Sequence, residues 1–183
     1  MLPLLLSLAG YAQKEKETDS AAAGAQPKTD PTLEQYFVAN GAYNRKLYPV
    51  AIQQYQAFLK AHPEHPKGDL ARRGLALSHY ASKQYKEASV PLSTLLAKEV
   101  LDPTISRERL VMMQGQCLLI TNQKEQSKAL YVAEISNLKT PAYLNAALAS
   151  ISDVSFSAGA WDQVVEWTTK LLAANPDKAR AAR

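Results

Sequence analysis

One skeleton recurs four times along this chain, and it limits the fold more than any other feature. Its clearest copy runs from Tyr48 to Pro63. Pro49 lies in the first turn of a candidate helix, where a missing N–H costs little. Ile52, Tyr55, Phe58 and Leu59 follow at helical spacing, and Pro63 stops the run. The skeleton returns as Tyr85-Lys-Glu-Ala88 leading to Leu92, Leu95 and Leu96. It returns again as Lys124-Glu-Gln-Ser127 leading to Tyr131 and Ile135, and as Trp161-Asp-Gln-Val164 leading to Trp167, Leu171, Leu172 and Pro176. Ala51, Ala88, Ser127 and Val164 then align at separations of 37, 39 and 37 residues. Twelve positions before each stands a second, usually small residue: Ala39, Ala76, Gly115 and Ser152. Two small residues at fixed separation let two antiparallel helices approach closely, and bulky neighbours fill the groove to the next pair. The pattern predicts an all-α stack of four helix pairs.

Composition agrees with that reading. The hydrophobic share of 46% and charged share of 21% are globular values. Seven glycines are few for a chain rich in tight turns. The formal charge of +4 is mild, and Lys178, Arg180 and Arg183 supply three of those charges in one terminal run. That is too little, and too terminal, for a nucleic-acid surface. Cys117 is the single cysteine, so no intramolecular disulfide can form. It lies in the apolar run Cys117-Leu118-Leu119-Ile120 and reads as a small buried residue.

The first thirty residues are of another kind. Residues 2–10 are apolar but too short to span a bilayer. Gly10-Tyr11-Ala12 offers small residues where a signal peptidase reads, so residues 1–12 are expected to be a secretory signal peptide. A basic segment is missing before the apolar run, and the competing reading is a buried N-terminal segment of the fold. No cysteine follows, which argues against a lipoprotein signal. Residues 13–31 carry no large apolar side chain through Asp30 and read as a disordered linker. Residues 32–183 form the expected repeat domain.

These residues resemble the tetratricopeptide repeat family, whose period is 34 residues. The family places a small residue at the eighth position, an aromatic at the seventeenth, Ala at the twentieth, a large apolar residue at the twenty-fourth and Pro at the thirty-second. Repeat one, residues 32–65, matches with Ala39, Tyr48, Ala51, Tyr55 and Pro63. Repeat two, 69–102, matches with Ala76, Tyr85, Ala88 and Leu92. Repeat three, 108–141, matches with Gly115, Ser127 and Tyr131. Repeat four, 145–178, matches with Ser152, Gly159, Trp161 and Pro176. The resemblance implies a right-handed superhelical solenoid of about four helix-turn-helix repeats. There are departures. Lys124 replaces the aromatic of repeat three, Val164 exceeds the usual Ala, and Pro91 is expected to bend the second helix of repeat two. No polar capping helix follows repeat four, so the array is expected to continue beyond this sequence, with the apolar flank of Trp167 and Leu171 covered by something else or partly exposed.

No catalytic constellation emerges. The sequence holds no phosphate-binding glycine loop, no CxxC and no HExxH. His62, Glu64 and His65 share one loop, but Pro63 and Pro66 splay it and no further metal ligand is evident. It reads as a solvated inter-repeat turn. The chain is therefore read as a non-enzyme without cofactor or metal.

The family resemblance places function on the first helix of each repeat, whose second, fifth, ninth, twelfth and thirteenth positions point into a concave groove. Carried over, the groove comprises Tyr36, Asn40, Tyr43 and Asn44 in repeat one, and Arg73, Leu77 and Tyr80 in repeat two. Repeat three adds Met112, Gln116 and Leu119, and repeat four adds Asp153 and Phe156. Such a stripe suits an extended or helical peptide; the competing reading is packing between neighbouring repeats. The two-carboxylate clamp of chaperone-binding relatives is not matched, since Tyr36 and Met113 stand where Lys and Arg are needed. The segments Tyr55–Pro66 and Gly74–Ala81 look similar to bacterial envelope repeat proteins of the TolA-binding, cell-division coordinator type. With the secretory signal, that implies a periplasmic protein-interaction scaffold. Two other readings stand beside it: an accessory repeat domain of a longer enzyme or transport component, and self-association through the uncapped end.

Overall fold

The computed structural model describes residues 30–175. The expected signal peptide, nearly all of the linker and the last residues of repeat four lie outside them. The chain divides into two units, one ending at Glu34 and one beginning at Gln35. In the first, Asp30 caps a 3-10 turn at Pro31–Leu33. Its carboxylate accepts from the Thr32 N–H at 3.0 Å and the Thr32 hydroxyl at 2.7 Å.

The described residues hold eight α-helices and no strand. They are α1 (Glu34–Asn44), α2 (Tyr48–Ala61), α3 (Gly68–Ala81), α4 (Tyr85–Leu96), α5 (Arg107–Ile120), α6 (Lys124–Glu134), α7 (Pro141–Ser157) and α8 (Trp161–Ala174). Each expected repeat is one helix pair. The second helices begin at Tyr48, Tyr85, Lys124 and Trp161, the four positions where the sequence skeleton begins. Ala39, Ala51, Ala76, Ala88 and Ser127 are all fully buried where helices cross. Val164, the larger residue in that series, is only half-buried.

The four hairpin turns are identical in kind. Lys46, Lys83, Asn122 and Gly159 occupy the same repeat position and all adopt the left-handed conformation, with φ of 62°, 60°, 61° and 70°. In each turn, that residue's N–H reaches back three residues, to Tyr43, Tyr80, Leu119 or Phe156. The next N–H reaches back five, to Ala42, His79, Leu118 or Ser155. This is a Schellman ending, which satisfies two carbonyls the helix cannot. Lys124 does not weaken the third turn, because the motif is made by the backbone before it.

Two apolar clusters fill the spaces between repeats. Leu92, Leu95, Ile105, Leu110 and Cys117 join repeats two and three. Val111, Tyr131, Leu148, Ile151 and Trp167 join repeats three and four. The expectation for Trp167 needs correction: it is buried in this second cluster, with Leu171 packed against it. Helical spacing turns Trp167 toward the preceding helices, so the exposed flank of α8 is instead Val165, Thr168 and Leu172. Pro91 is buried inside α4, which runs on through it to Leu96. Two boundaries differ from the simple period. α7 starts at Pro141, four residues before the expected repeat start, and α6 closes in a 3-10 turn at Ile135–Asn137. α6 touches α7 more sparsely than α2 touches α3 or α4 touches α5. A cavity of about 500 Å³ opens between α6 and α8, lined by Lys128, Ala129, Val132, Gln163 and Trp167 among others.

The inter-repeat loops are tied by polar contacts. Arg107 donates to the Leu96 and Lys98 carbonyls and to both oxygens of Glu134. The Arg107 guanidinium holds the Glu134 carboxyl below the usual carboxylate range. Glu108 accepts from the Lys139 and Thr140 N–H groups at 2.7 and 3.2 Å, closing the entry to α7.

Candidate protein-binding groove

The first helices α1, α3, α5 and α7 carry the expected groove residues. The large side chain near the end of each is fixed by the Schellman turn, since its own carbonyl accepts the turn's N–H. It then packs on the first aromatic of the second helix. The Tyr43 and Tyr48 rings lie 5.8 Å apart, Tyr80 and Tyr85 5.4 Å, and Phe156 and Trp161 5.2 Å. Leu119 and Lys124 make no such ring pair. Three of the four stripe residues are thus braced within their own repeat. Phe156 nevertheless stays exposed, and Asn44 is exposed at the end of α1.

Two groove residues of repeat one brace a buried tyrosine. The Tyr55 hydroxyl donates to Asn40 Oδ1 at 2.6 Å. The Tyr36 ring lies 6.4 Å from Tyr55 and 5.6 Å from Phe58. Burial pushes the Tyr55 hydroxyl up to about 12.

Repeats two and three enclose a concavity on this face. Arg73 and Leu77 of α3 face Thr104, Arg109, Leu110 and Met113 across a cavity of about 210 Å³. Arg73 Nη1 donates to the Thr104 carbonyl at 3.3 Å. Its Nε is buried and has no hydrogen-bond partner among the described residues. The loop is shaped by Asp102, which accepts from the Thr104 N–H and hydroxyl at 2.9 and 2.6 Å. Those bonds hold the Asp102 carboxyl below its ordinary value. Further along the face, the Tyr80 hydroxyl donates to Gln116 Oε1 at 2.5 Å, linking α3 to α5. Met112 packs on the cluster between repeats three and four. Asp153 is exposed on α7.

The structure therefore brings Arg73 and Leu77 together at one cavity, joins Tyr80 to Gln116, and turns Tyr36 and Asn40 toward Tyr55. Arg109, Thr104 and Met113 line the same cavity but are absent from the residues carried over by resemblance. Arg109 stands at the second position of repeat three, one of the inward positions of the family pattern. Asp102-Pro103-Thr104 is a turn signature that marked the loop.

The other chemically suggestive residues have structural roles. The His62 and His65 rings flank Phe58 at 5.6 and 5.3 Å. His65 Nδ1 accepts from the Lys67 N–H at 2.9 Å. His79 is buried with Nδ1 2.7 Å from Gln84 Oε1. Burial pushes the Cys117 thiol up to about 11, far from a reactive thiolate. Among the described residues no group of three or more His, Cys, Asp or Glu could hold a metal ion. No described helix is long and apolar enough to cross a membrane.

This geometry is similar to that of solved TPR-like repeats. The nearly identical TPR-like repeats assigned to a kinesin light chain of Podosopora anserina match with a TM-score of 0.58 at 15% identity, covering 94% of this chain and 90% of that one. A point variant of the same protein matches with a TM-score of 0.57. The fold is a tetratricopeptide-like solenoid. The apo form of RapI is a further neighbour, with a TM-score of 0.57 at 13% identity, covering 96% of this chain. The present TPR-like chain spans 66% of RapI. No family model matches the sequence, and no curated protein is significantly similar to it.

Proposed function

We propose that this TPR-like chain is a non-catalytic scaffold of the bacterial cell envelope that binds a protein or peptide segment along the face of its first helices. The observation that carries the reading is the cavity between α3 and α5. Leu77, Leu110 and Met113 line it beside Arg73 and Arg109, and Arg73 Nε has no hydrogen-bond partner among the described residues. A buried donor of that kind costs stability until something accepts from it. An extended segment carrying an apolar side chain and a nearby acceptor fits it. The TPR-like neighbours support an interaction scaffold at the level of fold.

A photo-crosslinking residue at Leu77, inside the cavity, should capture an envelope protein, whereas one at Val132, on the second helix α6 and outside that cavity, should not. Equal capture at both sites, or capture only at Val132, would overturn the groove. Location is tested separately by fractionation and N-terminal sequencing. The mature protein should appear in the periplasmic fraction and begin at Gln13. A cytosolic protein retaining Met1 would remove the envelope assignment and leave the groove standing.

A further inference from the structure

We propose that the edge of the solenoid formed by its hairpin turns lies on an anionic lipid bilayer surface. Topology puts the turns together. Consecutive helices run antiparallel and pack on one another, so the chain reverses alternately at a turn within a repeat and at a loop between repeats. The turns therefore gather at one end of the helices and the loops at the other.

The turn edge carries exposed apolar tips. Leu47 and Val50 at the first turn are 51% and 43% exposed, Ile120 at the third is 56% exposed, and Phe156 and Trp161 at the fourth are 60% exposed each. Among the described residues, Val100 is the only exposed large apolar side chain in a loop between repeats. None of the turn residues lines the cavity between α3 and α5. Tips spaced along one edge suit a broad apolar layer better than a single peptide, and the boundary of a bilayer favours Trp and Tyr.

Charge points to an anionic surface. Arg45 and Lys46 at the first turn, and Lys83 and Lys86 at the second, are all exposed. Among the described residues no hydrogen bond or ion pair engages their side chains. Residues 44–50 hold no acidic residue, and residues 81–87 hold only Glu87. Lys46 and Lys83 also occupy the left-handed position that Asn122 and Gly159 fill in the other two turns. That conformation disfavours lysine against glycine, and the turn's own hydrogen bonds are made by backbone alone. The lysines thus stand at a cost that the turn does not require, with their charge directed outward. Lipid phosphates supply the missing counter-charge, and the lysine stems lie among the headgroups beside Leu47 and Val50.

Co-sedimentation of the purified chain with vesicles tests the proposal, using phosphatidylcholine alone or mixed with phosphatidylglycerol. The chain should bind the mixed vesicles, less so at high salt, and leave phosphatidylcholine vesicles free. Each basic residue at such a surface is worth roughly fivefold in partitioning, so Lys46→Gln with Lys83→Gln should weaken binding about twenty-five-fold. Leu47→Ser with Ile120→Ser should weaken it as well, with circular dichroism unchanged. Lys60→Gln with Lys67→Gln carries the same net charge as the first pair but lies at the loop edge, and should bind like the wild type. Trp161 emission should move to shorter wavelength on the mixed vesicles. Equal loss in the two lysine pairs would overturn the proposal, as would binding that survives both turn variants. Absence of binding to either vesicle would overturn it too, and would assign the edge to a protein partner if the turn variants then lowered crosslinking at Leu77.

Discussion

Two glycines are set by two tyrosines. A Cβ at Gly115 would overlap the Tyr131 ring, and one at Gly74 would overlap the Tyr55 ring. Both contacts are with ring atoms packed in the interior, so the neighbour cannot swing away. Gly115→Ala should therefore destabilise the protein by about 1–3 kcal/mol, although Ala is the better helix former by about 1 kcal/mol. The same substitution made with Tyr131→Leu should cost much less than it does alone, because the ring it meets is gone. Urea denaturation of the four variants checks this, and additive costs would show that the clash is not the cause. The same tyrosines set an alkaline limit. Burial raises Tyr55 and Tyr131 to about 12, against an ordinary value near 10. Folding favours the neutral phenol, so this stabilisation is complete below pH ~10 and is lost as pH rises toward ~12. Tyr55→Phe with Tyr131→Phe should flatten the fall of the denaturation midpoint across that window. Cys117, raised to about 11, contributes from a lower pH, and Cys117→Ala separates its share.

Much of the element scale was legible in the sequence. The small residues at 51, 88 and 127 are the buried crossing points they were expected to be, because only small side chains let two helices approach there. What the period could not show was where helices gain or lose a turn. α7 begins early because Thr140 and Pro141 open it and Glu108 accepts both entry N–H groups. α6 tightens into a 3-10 turn beyond Glu134, whose carboxylate is engaged by Arg107. The hairpin turns were legible only through Gly159, although all four use the same left-handed residue. Lysine in that conformation costs roughly 1–2 kcal/mol that glycine avoids, and glycine returns about half of this through its freer unfolded chain. Lys83→Gly should accordingly raise stability by about 0.5–1 kcal/mol, read as an increase in thermal midpoint, and Lys46→Gly should behave alike. No change, or a fall, would mean that the lysine side chains contribute more in the turn than the structure shows.

At the scale of the whole molecule, the groove was only partly readable. Arg73 and Leu77 could be placed because they lie on a periodic helix. The far wall of their cavity includes Thr104 and Ile105, on a loop that follows no period. The stripe of Tyr43, Tyr80 and Phe156 is periodic for a second reason, since each ring also rests on its own second helix. Periodicity alone cannot separate a residue that binds from one that braces a turn.

A linear array is only as cooperative as its junctions, because each repeat contacts its neighbours alone. Here the junctions are unequal. Repeats two and three share a dense cluster and the Tyr80–Gln116 bond. Repeats three and four meet across a sparser α6–α7 contact, beside a cavity of about 500 Å³. Repeat four should therefore open before the rest. The chain carries its own reporter, since both tryptophans, Trp161 and Trp167, lie in α8. Trp167 is buried in the cluster that would be broken. In a urea titration, tryptophan fluorescence should change at a lower midpoint than the far-ultraviolet circular dichroism, which sums the helices of every repeat. Amides of α7 and α8 should likewise exchange with deuterium faster than those of α3 to α5. Coincident midpoints would show instead that all four repeats unfold as one unit. The loose junction would then be offset by Trp167, Leu148 and Ile151 packing against Tyr131.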